Sequence, residues 1–135
     1  MIDTYWFVSN FRNVIRIFVS SLEEAKTIVE NISKLESPIE EMFYNECLKQ
    51  NIRVDSQYHI KNYRVDFVLK NKNIVIELDG HESHKTKEQR TDDAQRERFL
   101  QQEGWKVIRY TGSEIYKDVN KCVKQFISLI GDTQR

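Results

Sequence analysis

Two strand-like segments, Tyr63–Leu69 and Ile74–Leu78, are joined by only four polar residues, Lys70-Asn71-Lys72-Asn73. No other feature of this chain limits its fold so tightly. The segments are rich in β-branched and aromatic residues and the connection in turn formers, so a tight hairpin is predicted. A two- or four-residue connection centred on Asn71-Lys72 sets Leu69 opposite Ile74, Phe67 opposite Ile76 and Val65 opposite Leu78. That face is wholly apolar and is expected to be core. The other face sets Val68 opposite Val75, Asp66 opposite Glu77 and Arg64 opposite Asp79.

Two carboxylates directly opposed in a sheet repel each other. At a separation of about 5 Å and an effective dielectric near 20, the repulsion is roughly 3 kcal/mol. A divalent cation offsets it, since Mg²⁺ takes one or two carboxylates, keeps several waters and accepts phosphate oxygens. Such an ion polarises a phosphoryl group and makes its own water a stronger acid. The plainer explanation is a solvated acidic edge neutralised by Arg64 and nearby lysines. The flanking valines, and the Asp79-Gly80 turn leading to His81 and His84, favour the metal.

The rest of the chain reads as helices around this hairpin. Phe7, Phe11, Val14, Ile15 and Phe18 fall at roughly helical spacing, which predicts a helix over residues 4–19, although Val14–Val19 also reads as a strand. Ser21 and Glu24 form a capping box ahead of an apolar stripe, Leu22, Ala25, Ile28, Val29 and Ile32. Ser37-Pro38-Ile39-Glu40 starts a further helix that runs to about Gln50. Ser56–Ile60 and Trp105–Tyr110 are short strands. A polar helix spans about Lys87 to Glu103, ended by Gly104, and Ser113 caps a last helix carrying Ile115, Val119, Cys122, Val123, Phe126 and Ile130. The alternation predicts an α/β domain, a central mixed β-sheet flanked by helices, over residues 35–135 with a helical N-terminal extension, residues 1–34.

With 135 residues, 39% of them hydrophobic, the chain suits one core, and no apolar run is long enough to span a bilayer. No secretory signal pattern opens it. Cys47 and Cys122 sit among apolar neighbours and read as free thiols, which implies the cytoplasm. Basic and acidic residues balance at 21 each, so a purely electrostatic nucleic-acid binder is disfavoured. Residues 51–76 and 104–125 are nevertheless each five-to-two basic, a distribution able to meet phosphates.

Asp66 within YRVDFVL, followed by IVIELDG, resembles the PD-(D/E)XK nuclease superfamily with its restriction-endonuclease-like fold. More narrowly, ELDGHESHKTKEQR, DDAQRERFLQQEGW and VIRYTGSEI are similar to small bacterial proteins related to the very-short-patch-repair endonucleases, over about residues 36–116. The resemblance implies Mg²⁺-dependent cleavage of double- or single-stranded DNA, with Mn²⁺ substituting. It implies Asp66, Glu77 and the Leu78 carbonyl as metal ligands. Asp79 stands where the superfamily has lysine; in this branch an acid there is the usual form, and Arg96, His84 and Lys87 are candidates for the lysine's work. Glu40 matches a glutamate that reaches the metal site from the first core helix, and it also belongs to a capping box. Asp93 and Arg96 match an Asp-x-x-Arg element and can pair on one helix face. Arg109 suits a salt bridge or a phosphate contact equally.

Zinc at His81-x-x-His84 lacks two further ligands; water activation or phosphate contact by one histidine is a better reading than zinc, and a satisfied loop histidine is the plain alternative. Trp105, Phe126 and the other aromatics at apolar positions are expected in the core. The alternatives to an endonuclease are a nucleic-acid-binding module without hydrolysis and a subunit docking through the aromatic-rich residues 5–19 onto a larger DNA-processing complex. Double-strand scission calls for a homodimer or two successive nicks, and RNA as substrate stays open.

Overall fold

The hairpin forms where the alternation places it. A computed structural model describes residues 3–8, 14–80 and 85–131. Strands β1 (Asp3–Val8) and β2 (Val14–Val19) precede helices α1 (Leu22–Ser33) and α2 (Pro38–Lys49). Next come β3 (Asp55–Ile60), β4 (Tyr63–Leu69), β5 (Ile74–Asp79), α3 (Lys87–Gln102), β6 (Lys106–Thr111) and α4 (Gly112–Gly131). The main sheet has the order β3-β4-β5-β6. Its first three strands are antiparallel, and α3 crosses over to bring β6 parallel to β5. The expected mixed sheet flanked by helices is therefore present.

Lys70–Lys72 make one 3₁₀ turn, and Asn73 closes it in the left-handed region, φ 54°, where Asn is well tolerated. Pairs Leu69–Ile74, Val68–Val75 and Phe67–Ile76 have the expected register. Phe67, Leu69, Ile74, Ile76 and Leu78 join the larger apolar core with α1, α2, α4 and the β1–β2 pair. On the opposite face Val68 and Val75 pack with Leu100 of α3 in a smaller cluster. Val65 lies in that smaller cluster too, not with Phe67 as strict alternation predicts. The β4–β5 ladder ends at Phe67–Ile76, so the side-chain alternation breaks at Asp66.

The helix expected over residues 4–19 is a correction. Asp3–Val8 pairs antiparallel with Val14–Val19, placing Phe7, Ile15, Ile17 and Val19 in the core. Period-two burial of a β-branched run outweighs the approximate helical spacing of its phenylalanines. The outer face leaves Trp6 66% and Phe18 61% exposed, contrary to a core role for every aromatic, while Arg16 lies over both rings. Phe11 lies outside the described residues.

Local sequence explains the helix starts. Ser21 Oγ accepts from the Glu24 N–H at 3.1 Å, whereas the Glu24 carboxylate reaches Ser20 and Arg53. Thr86 and Gln89 complete a reciprocal capping box for α3. Thr111, not Ser113, caps α4, accepting from the Glu114 N–H at 3.1 Å. That helix breaks at Asp118, which caps the following turns through Lys121 N–H. Cys47 and Cys122 are free and buried, and among the described residues no helix is long and apolar enough to cross a membrane.

Phe67 has no exposed surface, and its ring stacks on Tyr44 and tilts against Phe43, with centroids 6.2 and 5.3 Å away. Phe67→Ala removes this junction between sheet and α2, and urea unfolding should show a loss of about 3–5 kcal/mol. A loss below about 1 kcal/mol would contradict the packing, since it would match a surface substitution.

Candidate active site

Beyond Phe67–Ile76 the backbones of β4 and β5 no longer pair, and carboxylates take over. Glu77 accepts from the Asp66 N–H at 3.1 Å, and Asp66 Oδ2 accepts from the Leu78 N–H at 2.9 Å. Each acid thus satisfies a backbone donor of the opposite strand that would otherwise go unpaired. Asp66 and Glu77 are brought together as the register predicts, but inside the opened ladder instead of across an intact one.

Glu77 is buried and forms an ion pair with Arg96 of α3. The same guanidinium donates to the Arg64 carbonyl at 3.0 Å, so it bridges both strands. Glu40 is buried as well, near the start of α2. It accepts from Ser37 Oγ at 3.0 Å, from the Glu36 N–H at 3.3 Å and from Gln57 Nε2 at 2.6 Å. The capping reading of Glu40 is met, since its N–H donates to Ser37 Oγ at 3.3 Å. Burial and the Glu77 charge, with a contribution from Glu40, push the Asp66 carboxyl up to about 7 against the pull of the Leu78 N–H. Among the described residues, the cation paired with these acids is Arg96, on Glu77.

Asp79 follows two residues beyond Glu77, at the end of β5. It meets Arg109 at 3.4 Å and not Arg64, which instead pairs with Glu36 at 3.0 Å. The twisting and parting of β4 from β5 separates that expected pair. Arg109 also binds Glu97 at 2.9 Å. Burial alone would lower its pKa, but Glu97, Asp79 and Glu77 more than compensate and hold it above the ordinary value. The expected Arg109 salt bridge is thus formed.

Asp93 and Arg96 do not pair with each other. Lys85 takes Asp93 at 2.6 Å, and Arg96 turns to Glu77. Lys87 is exposed at the start of α3. His81 and His84 lie outside the described residues. An open pocket of about 230 Å³ beside Asp79 is lined by Lys85, Arg90, Asp93, Glu97 and Arg109. Among the described residues, no group of three His, Cys, Asp or Glu side chains is arranged to hold a metal ion. Gln57 touches Glu40, and Glu97 shares Arg109 with Asp79, yet neither carries a motif. A two-residue turn at Lys61-Asn62 would have placed Gln57 opposite Asp66, whereas nothing in the sequence pairs Glu97 with Arg109.

A helix-flanked mixed sheet whose β4–β5 pair opens around buried acids defines the class, a restriction-endonuclease-like α/β domain. The chain belongs to the REase_MTES_1575 family, which it matches over residues 39–130. Its fold is similar to the solved "Homing Endonuclease I-Bth0305I Catalytic Domain", with a TM-score of 0.61 over 74% of this chain and all of that one, at 17% identity. It is also 38% identical over 73 residues to an uncharacterized protein of Haemophilus influenzae. That similarity covers 54% of this chain and 45% of the relative, so the chain spans less than half of that protein's length.

The raised Asp66 pKa has a consequence for stability. The unfolded carboxyl titrates near 3.8 and the folded one near 7, so the folded state holds its proton more tightly. This contribution is fully present below pH 3.8 and is lost as pH rises through 7. Asp66→Asn, which keeps an acceptor for the Leu78 N–H, should therefore stabilise the metal-free protein at pH 8 by on the order of 1–3 kcal/mol. In thermal melts with EDTA, that gain should shrink to nothing near pH 4. A gain that is absent at pH 8, or constant with pH, would contradict the assignment.

Proposed function

We propose that this protein is a divalent-metal-dependent nuclease that hydrolyses DNA phosphodiester bonds. The observation that carries the proposal is the pair Asp66 and Glu77, held side by side in the opened ladder with Glu40 close enough to raise Asp66 further. These donors fit a hard cation, since they are carboxylate oxygens. Asp66, Glu77 and the Leu78 carbonyl would hold the ion, with Mg²⁺ expected and Mn²⁺ able to substitute. When bound, it would polarise the phosphoryl group and activate water.

The chain's own residues would do the rest. Asp79, fixed by Arg109, would accept a hydrogen bond from the attacking water. Arg96 would stabilise charge on the phosphate, the work the superfamily gives to lysine, and His84 would assist. Lys85 and Arg90 line the pocket beside Asp79 and would receive a flanking phosphate. The finer kinship with very-short-patch-repair endonucleases rests on the ELDG, DDAQRERF and VIRYTG segments, and belongs to this proposal. Buried free thiols support a reducing, cytoplasmic setting.

A second reading is a nucleic-acid-binding module with no hydrolysis. Its support is the Glu77–Arg96 bridge, which neutralises one acid internally. A cleavage assay on supercoiled plasmid and single-stranded DNA, comparing Mg²⁺, Mn²⁺ and EDTA, separates the two. Metal-dependent cutting that Asp66→Ala reduces more than about a hundredfold, beyond the usual effect of losing an outer-shell partner, is the expected result. DNA binding that survives EDTA without cutting would favour the second reading.

A further inference from the structure

Four non-glycine residues among those described have positive φ. Asn51, Lys61 and Asn73 sit in turns, where a left-handed residue reverses the chain. Gln57, φ 46°, instead lies inside β3. Its neighbours keep one unbroken register with β4, Ser56 with Phe67 and Tyr58 with Val65, so no residue has been inserted as a bulge. Gln57 falls opposite Asp66, yet the two are not ladder partners. Ser56 is buried against Asn31 of α1, while Tyr58 packs in the smaller cluster on the opposite sheet face. The faces therefore switch at Gln57, directly across from the switch at Asp66.

A long side chain without a β-branch is an unusual choice for such a backbone, since Gly or Asn adopts it with less strain. What Gln57 gains is reach. Its amide Nε2 donates to Glu40 Oε1 at 2.6 Å. The other partners of Glu40, Ser37 Oγ and the Glu36 N–H, draw that carboxylate back over the start of α2. Gln57 alone of these partners comes from the sheet, beside Asp66.

We propose that Gln57 is a positioning residue whose left-handed backbone and amide hold the Glu40 carboxylate against β3, where its charge adds to that of Asp66 and Glu77 at the proposed metal site. The inference rests on the metal reading above. An amide suits this task because it donates to Glu40 without adding charge of its own. The cost is local backbone strain, tolerated because the flanking pairs of β3 and β4 fix the conformation from both sides.

The test uses Mn²⁺ titration calorimetry on the full chain, with thermal melts in EDTA as a separate readout of folding. Gln57→Gly removes the amide and relieves the strain, so it should melt close to the wild type while its Mn²⁺ affinity falls on the order of tenfold. Gln57→Asn, which also tolerates the left-handed backbone, is too short to reach Glu40 and should lose affinity similarly. Both losses should vanish in a Glu40→Gln background, because Gln57 acts through Glu40. Unchanged affinity in both variants, or a loss that adds in full to that of Glu40→Gln, would overturn the positioning role and leave the metal site standing. Wild-type protein that binds no Mn²⁺ would overturn the metal reading itself, and this inference with it.

Discussion

The exchange of hydrogen bonds between Asp66 and the β5 backbone, and between Glu77 and the β4 backbone, is the constraint around which the rest of the domain is arranged. Two adjacent strands here give up their ladder, which would leave backbone donors unpaired in a partly buried place. Side-chain carboxylates satisfy them, and because each acid reaches to the other's strand, the two charges are forced close together. Apolar packing keeps the arrangement from relaxing: Phe67 and Ile76, the last ladder pair, have no exposed surface. The electrostatic cost is held in place by a core that has nowhere else to go.

Everything near the pair responds to that charge. Arg96 descends from the polar helix α3 to Glu77 and ties down the Arg64 carbonyl on β4. Arg109 from β6 gathers Asp79 and Glu97. These partners come from the parallel crossover, which explains why α3 buries only Leu100 and gives its remaining length to charged and polar groups. The helix is anchored at its C-terminal end by Leu100 and Phe99, which pack with Trp105, while Arg90, Asp93 and Arg96 upstream lie beside the acids. Stability and site chemistry are thus divided along one helix.

Much of this was legible in the sequence because hairpins obey short-range rules. The turn residues and the alternation within Tyr63–Leu69 and Ile74–Asp79 set the register from Phe67–Ile76 to Leu69–Ile74, and that register placed Asp66 beside Glu77. The opening of the ladder was not legible, since it depends on how Gln57, Asp66 and the flanking cores compromise in three dimensions. For the same reason Val65 changes clusters and Arg64 loses Asp79. Asp3–Val8 and Val14–Val19 depart from the expected helix. The strand reading of Val14–Val19 was open in its alternation, but its pairing with Asp3–Val8 and its contacts with α1 and α2 are not local. Arg96 was visible as a candidate; its bond to Glu77 instead of Asp93 required knowing where α3 lies.

The opened ladder raises the Asp66 carboxyl to about 7, and a bound cation would lower it. Carbon-13 NMR titration of the Asp66 carboxyl, with EDTA and with saturating Mg²⁺, tests this most directly. Without metal the resonance should titrate at about 7. With Mg²⁺ it should titrate at or below the ordinary aspartate value of about 3.9. An Asp66 that titrates near the ordinary value without metal, or that ignores Mg²⁺, would contradict the account.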